Sequence, residues 1–205
     1  MTAIALASSA AAHQGTRRIT TAIFAVFIVW GAAVALLAAR GFFAGLYLPY
    51  VAVIVVAGIV LPALAYLCSR RLQRYFAVIG LYPLTILHVW RIPAALVFFA
   101  YGVAGQLPML FWALAGVGDF IAGLYAARLL FGPKDDRFYW RFHLFGFADF
   151  VVAVGAGLTF TLLGDPRMAA IAMLPLALIP LFGVGISGAS HLIAFHQLAR
   201  RSRAS

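Results

Sequence analysis

Five residues in this chain have types and positions that could do chemistry inside an apolar environment: His88, Arg91, Asp119, Asp149 and His191. Each lies within a long run of apolar residues, where an unpaired ionised side chain costs about 2.5 to 3.5 kcal/mol at a helix centre. Two carboxylates, a guanidinium and two imidazoles at such depth are expected to pair with one another, and such groups mark ion or proton paths. The chemistry open to them is proton transfer through Asp149 and the imidazoles, anion recognition by Arg91, or ligation of a haem iron by His88 and His191.

The elements that must position these residues follow from composition. Of 205 residues, 65% are hydrophobic and only 10% are charged, against roughly a quarter charged in soluble domains. The fold class expected is all-α, a polytopic integral membrane protein. A helix crossing a core of about 30 Å needs about 20 apolar residues, and six runs meet that length: 19–39, 48–68, 81–104, 109–131, 142–164 and 171–197. Together they form a transmembrane domain over 19–197. Residues 1–18 read as a mobile cytoplasmic tail without the basic start and apolar stretch of a secretory signal, and 198–205 as a basic cytoplasmic tail.

Orientation follows from the basic residues. The net charge of +10 comes from 15 Lys and Arg, which fall in short clusters between the spans and so set topology instead of contacting nucleic acid. One side carries Arg17, Arg18, Arg70, Arg71, Arg74, Lys134, Arg137, Arg141, Arg200, Arg201 and Arg203; the other carries Arg40 and Arg167. Both termini are therefore expected in the cytoplasm, and the protein in the inner membrane of a bacterium. Arg128 sits one turn from the cytoplasmic end of its span, where its stem can run along apolar surface to the headgroups.

By helical rise, Arg91 and Asp119 both lie roughly 15 Å deep from opposite ends of neighbouring spans, which makes an ion pair between them geometrically cheap. Asp149 is then left over, roughly 10 Å from the cytoplasmic face, with His88 and His191 at a similar depth. The result is a column of His88, Asp149, His191, Arg91 and Asp119. Gly116, Ala122, Gly123 and Ala126 flank Asp119, and Gly146, Ala153 and Ala156 flank Asp149, so both carboxylates face other helices. His143 and His196, within about two residues of the expected span ends, read as interfacial, and His13 lies in the tail.

Pro62, Pro83, Pro93, Pro175 and Pro180 interrupt helical hydrogen bonding, and Pro93 stands two residues past Arg91. The heptapeptides Gly116-Val-Gly-Asp119-Phe-Ile-Ala and Gly146-Phe-Ala-Asp149-Phe-Val-Val echo each other on helices of opposite direction, a pattern also found in inverted-repeat transporters. No HExxH, GxSxG or P-loop motif occurs, the single cysteine is Cys68, and the chain has no glutamate with which to build a carboxylate-rich metal site.

The functional expectation is a small permease or channel-like protein that passes a small solute or ion through a polar centre in spans three to six, with Asp149 carrying a coupled proton. It needs the bilayer, no nucleic acid, no metal and no cofactor. The alternatives are a b-type haem protein of electron transfer with His88 and His191 as ligands, or a non-catalytic accessory subunit. A homo-oligomer or a larger membrane complex fits either assembly.

Overall fold

The computed structural model describes residues 3–132 and 134–203, and the side chains from residue 14 onward. Among the described residues it is helical throughout, without strands. Eight α-helices appear in chain order: α1 (Ala3–Ala39), α2 (Pro49–Cys68), α3 (Arg70–Ile79), α4 (Leu81–Ile86), α5 (Arg91–Val103), α6 (Met109–Ala127), α7 (Asp136–Leu162) and α8 (Val184–Ser202). Six helical stretches are long and apolar enough to cross a membrane, in agreement with the count from sequence.

Local chemistry explains the boundaries. Pro49 opens α2 at a position whose N–H would be orphaned anyway. Ser69 caps α3, its Oγ accepting from the Leu72 N–H at 3.3 Å, and Asp135 caps α7, its Oδ1 accepting from the Phe138 N–H at 2.8 Å. Gly80 and Gly105, with φ of 73° and 72°, end α3 and α5 in the left-handed region that other residues avoid.

Four boundaries differ from expectation. The stretch 1–18, expected as a tail, is helical from Ala3 and continuous with the first span; residues 1 and 2 lie outside the described residues. The basic tail expected from 198 is helix as far as Ser202. The fifth span starts at Asp136 and not at Phe142, because Asp135 supplies the cap and Arg137 and Arg141 ride on the exposed face of the first turns. The sixth apolar helix starts at Ile179 and not at Ile171: Pro166–Ala172 is a 3-10 turn, and Pro175 and Pro180 keep 173–177 out of a helix. Met168, Ala172, Leu176 and Ala177 of that segment are fully buried, so it folds back as a cap over the end of the bundle opposite the arginine clusters.

The bundle core is α8, packed against α2, α4 and α7, with α6 tight against α5 and α7. Buried Gly185, Ser187, Gly188 and Ala189 let neighbouring backbones approach α8 closely. By contrast α1 is peripheral. It is held mainly by Trp30, whose ring fits over Gly58 and Gly185 and meets Phe182 edge-on at 5.4 Å. Helix α3 is a feature the sequence reading passed over: Arg70, Arg71 and Arg74 share a short amphipathic helix between the second and third spans, with Tyr75 buried on its other side.

Candidate functional site: a buried histidine, arginine and aspartate centre

The third span is broken where the chemistry sits. Pro93 cannot donate to the Val89 carbonyl, and the chain tightens into a 3-10 turn over Leu87–Trp90 before α5 begins at Arg91. In a 3-10 turn side chains three residues apart eclipse. Thr85, His88 and Arg91 are all fully buried, the last two brought to one side by the turn.

Arg91 joins two helices. Its Nε donates to Asp119 Oδ1 on α6 at 2.6 Å, and its Nη2 donates to Asp149 Oδ2 on α7. Its guanidinium carbon lies 4.3 Å from the centre of the Phe150 ring, which seals one side. The expected Arg91–Asp119 pair is present. Asp149, expected to stand apart, shares the same arginine: a Cβ on Gly118 would overlap the Asp149 carboxylate, so the missing side chain in the Gly-Asp pair admits the second aspartate. The two echoed heptapeptides thus deliver both carboxylates to one cation.

The histidines form a second layer. His88 and His191 stack with ring centroids 4.3 Å apart, and the third member is His143, whose Nδ1 lies 2.8 Å from His191 Nδ1. His143 is fully buried, a correction to its interfacial assignment: with α7 starting at Asp136, His143 lies two turns inside the helix. His196 is half-buried and hydrogen-bonds through Nδ1 to Tyr66 Oη at 2.7 Å near the basic end. Arg128 is exposed beside Tyr125.

Tautomers follow from the hydroxyls. Thr85 Oγ1 donates to the Leu81 carbonyl at 3.0 Å, so it accepts at 3.0 Å from His143 Nε2. His143 Nδ1 is then a lone pair that accepts from His191 Nδ1–H, which makes His191 Nε2 a lone pair as well. Ser190 Oγ likewise donates to the Ser187 carbonyl at 2.7 Å and accepts from His88 Nε2 at 2.8 Å, leaving a lone pair on His88 Nδ1. Ser187 Oγ accepts from Trp90 Nε1 at 2.8 Å.

Three buried atoms in this centre have no hydrogen-bond partner: His88 Nδ1, His191 Nε2 and Arg91 Nη1. Two of them converge. The point a Cβ would occupy on Gly146 is 2.8 Å from His191 Nε2 and 3.3 Å from Arg91 Nη1, so Gly146 leaves a cradle between an acceptor and a donor. On the other side, Asp119 lies on the wall of an apolar cavity of about 70 Å³. That cavity runs from Leu48 and Pro49 past Phe98, Phe111 and Phe150, beneath the 166–180 segment.

All five residues singled out from sequence therefore meet in one centre. A haem between His88 and His191 does not fit: axial imidazoles stand on opposite faces of a macrocycle, whereas these rings touch. Sequence reasoning missed His143, Thr85, Ser187, Ser190 and Trp90. The spacing Thr85–His88–Arg91 and Ser187–Ser190 was available as a signal, since residues three apart share a helix face.

Among family models, residues 42–199 match one described as a domain of unknown function (DUF8737). The chain belongs to this family. The DUF8737 region takes in the whole buried centre and begins just after α1, the helix that packs least. No curated protein and no solved structure matches the chain.

Proposed function

We propose that this DUF8737 protein is a small permease or channel-like protein of the bacterial cytoplasmic membrane, with its arginine-rich end in the cytoplasm, in which proton movement through the buried centre accompanies passage of a small solute or ion. The orientation rests on the distribution of Lys and Arg. The observation that carries the reading is Arg91 shared between carboxylates of two helices, with its remaining Nη1 and the lone pair of His191 unpartnered beside Gly146.

The centre has two parts in series. From the basic end, Thr85, His143 and His191 form a hydrogen-bonded line toward the Gly146 cradle, and beyond it stand Arg91, Asp149 and Asp119. In the present tautomers the line donates outward, from His191 to His143 and from His143 to Thr85. Once both imidazoles have exchanged tautomers, a proton handed inward along them reaches the Asp149 carboxylate, neutralises it and cancels its charge pairing with Arg91. The guanidinium, still held by Asp119, is then free to turn one face toward a solute in the apolar cavity. Loss of the proton restores the three-way pair. An ion pair that both holds two helices together and depends on one proton is a bistable element that can couple the two movements.

The test is proton flux into liposomes containing the protein, read with an entrapped pH-sensitive dye under an imposed gradient. Flux above protein-free vesicles that falls to their level in Asp149→Asn and Arg91→Ala supports the reading. Full flux in both variants, each correctly inserted, sinks it.

A further inference from the structure

We infer that His88, His143 and His191 form a binding site for one divalent transition-metal ion, of the class that takes imidazole ligands: zinc, cobalt, nickel or copper. One ligand nitrogen from each residue lies within 4.8 Å of the others, and all three side chains are fully buried. They come from three separate elements, the 3-10 turn, α7 and α8, so an ion here would tie this turn to α7, as the arginine centre ties α5 to α7, and would bring in α8 where that centre brings in α6.

The surroundings match what a histidine metal site needs beyond its ligands. Metal-bound imidazoles donate their other N–H to an oxygen, which fixes the ring and its tautomer. Thr85 Oγ1 and Ser190 Oγ do this for His143 and His88, because each hydroxyl has already given its own proton to a backbone carbonyl. The lone pairs of His143 Nδ1 and His88 Nδ1 are thereby set for coordination, and the latter has no other partner in a fully buried position. His191 joins by moving its proton from Nδ1 to Nε2, with no net proton gained or lost. Among the described residues no oxygen accepts the new N–H, which faces the Arg91 Nη1 donor across the Gly146 cradle, so a small oxygen ligand seated there would have to accept from both. Metal–nitrogen bonds of about 2.0 to 2.1 Å place tetrahedral ligand nitrogens about 3.3 Å apart, so on binding the His143–His191 spacing of 2.8 Å would open and the wider spacings, up to 4.8 Å, would close.

Net charge over the centre favours a cation, although the nearest charge does not. With both carboxylates ionised, Asp119, Asp149 and Arg91 together carry one excess negative charge, while the Arg91 guanidinium, whose Nη1 faces His191 across the Gly146 cradle, would repel the ion. Three neutral imidazoles add no charge of their own. A divalent ion carrying one hydroxide would bring the whole buried centre to neutrality, and three histidines leave a tetrahedral ion a fourth position for that ligand.

The inference shares His143 and His191 with the proposed proton path but does not depend on it. Purified protein carrying no polyhistidine tag is stripped with chelator, titrated with Co²⁺ and followed by its visible ligand-field absorption, with Zn²⁺ competition and elemental analysis alongside. The expected result is saturation near one ion per chain, a spectrum of nitrogen coordination, and release of Co²⁺ by Zn²⁺. His143→Gln loses at least about tenfold in affinity, Thr85→Val a similar factor through the lost N–H acceptor, and His196→Gln keeps the full site. Folded wild-type protein that shows no such absorption with Co²⁺ in excess overturns the metal site, as does a spectrum unchanged in His143→Gln. Should His143→Gln fail to fold, the wild-type spectrum and Thr85→Val decide. Protein that conducts protons without binding metal removes this inference alone; protein that binds metal without conducting removes the permease reading alone.

Discussion

Nδ1 of His143 and Nδ1 of His191 face each other across 2.8 Å, and the direction of the proton between them is set by Thr85, which touches only the first. Since the Thr85 hydroxyl spends its hydrogen on the Leu81 carbonyl, each imidazole in the line has one assigned role. Thr85→Val keeps the shape but removes the acceptor, leaving a buried N–H unpaired. The expected loss is about 1 to 3 kcal/mol of stability, with Thr85→Ser close to the parent. Thermal unfolding in detergent, compared across the three proteins, checks it.

Arg91 compensates two carboxylates at once, so removing it alone strands both. Arg91→Met is expected to cost about 3 to 5 kcal/mol and to lower the yield of folded protein. Combining it with Asp119→Asn and Asp149→Asn removes the uncompensated charge and restores most of the folded fraction while abolishing proton flux. Size-exclusion profiles of the single and triple variants, with flux measured on the triple, separate the structural contribution of the pair from its functional one.

Two glycines give contrasting outcomes. A methyl at Gly118 overlaps the Asp149 carboxylate, so Gly118→Ala drives Asp149 off Arg91 and is expected to destabilise the bundle. At Gly146 the added carbon would stand 2.6 Å from Cε1 and 2.8 Å from Nε2 of the fully buried His191 ring, which must move to admit it. Gly146→Ala should therefore displace His191 from His143 while leaving Arg91 paired with both aspartates. Both variants should unfold at a lower temperature than the parent, and the carboxyl infrared band of Asp149 should shift in Gly118→Ala but not in Gly146→Ala.

At the end of the bundle away from the arginine clusters, Asp165 accepts from the Arg167 backbone N–H at 3.0 Å and from its guanidinium at 2.9 and 2.6 Å. The side-chain hydrogen bonds from Arg167 hold the Asp165 carboxyl below its ordinary range. A carboxyl depressed on folding contributes stability above its unfolded pKa, and that contribution disappears as pH falls through the folded value. Thermal unfolding of the parent should weaken relative to Asp165→Asn as pH is lowered through the carboxylate range. The difference between the two curves should be largest at neutral pH and small, because the pair is at the surface.

Much of this was legible in the sequence. Six apolar runs anticipate the six helical stretches long and apolar enough to cross a membrane, and the matching heights of Arg91 and Asp119 on neighbouring helices follow from helical rise alone. The sharing of Arg91 was hidden, since it depends on Gly118 making room for a side chain from another helix. His143 was hidden by a boundary: hydropathy places the start of the fifth span at Phe142, but the cap is Asp135, and six residues of helix turn an interfacial histidine into a buried one. The start of the sixth span failed for the converse reason. Residues 171–177 are apolar enough for a helix, but Pro175 and Pro180 make them an irregular cap, with Ile171, Ala172, Leu176 and Ala177 buried and Met173 and Leu174 exposed, of which Ile171 and Leu176 line the cavity beside Asp119.

That Asp149 exchanges a proton inside the membrane is the central claim, and pH-difference infrared spectroscopy of the reconstituted protein tests it most directly. The expected result is a carboxylic-acid C=O band that appears on acidification, is absent in Asp149→Asn and persists in Asp165→Asn. A band unchanged in Asp149→Asn, or no band attributable to a buried carboxyl across the pH range in which flux is measured, would contradict it.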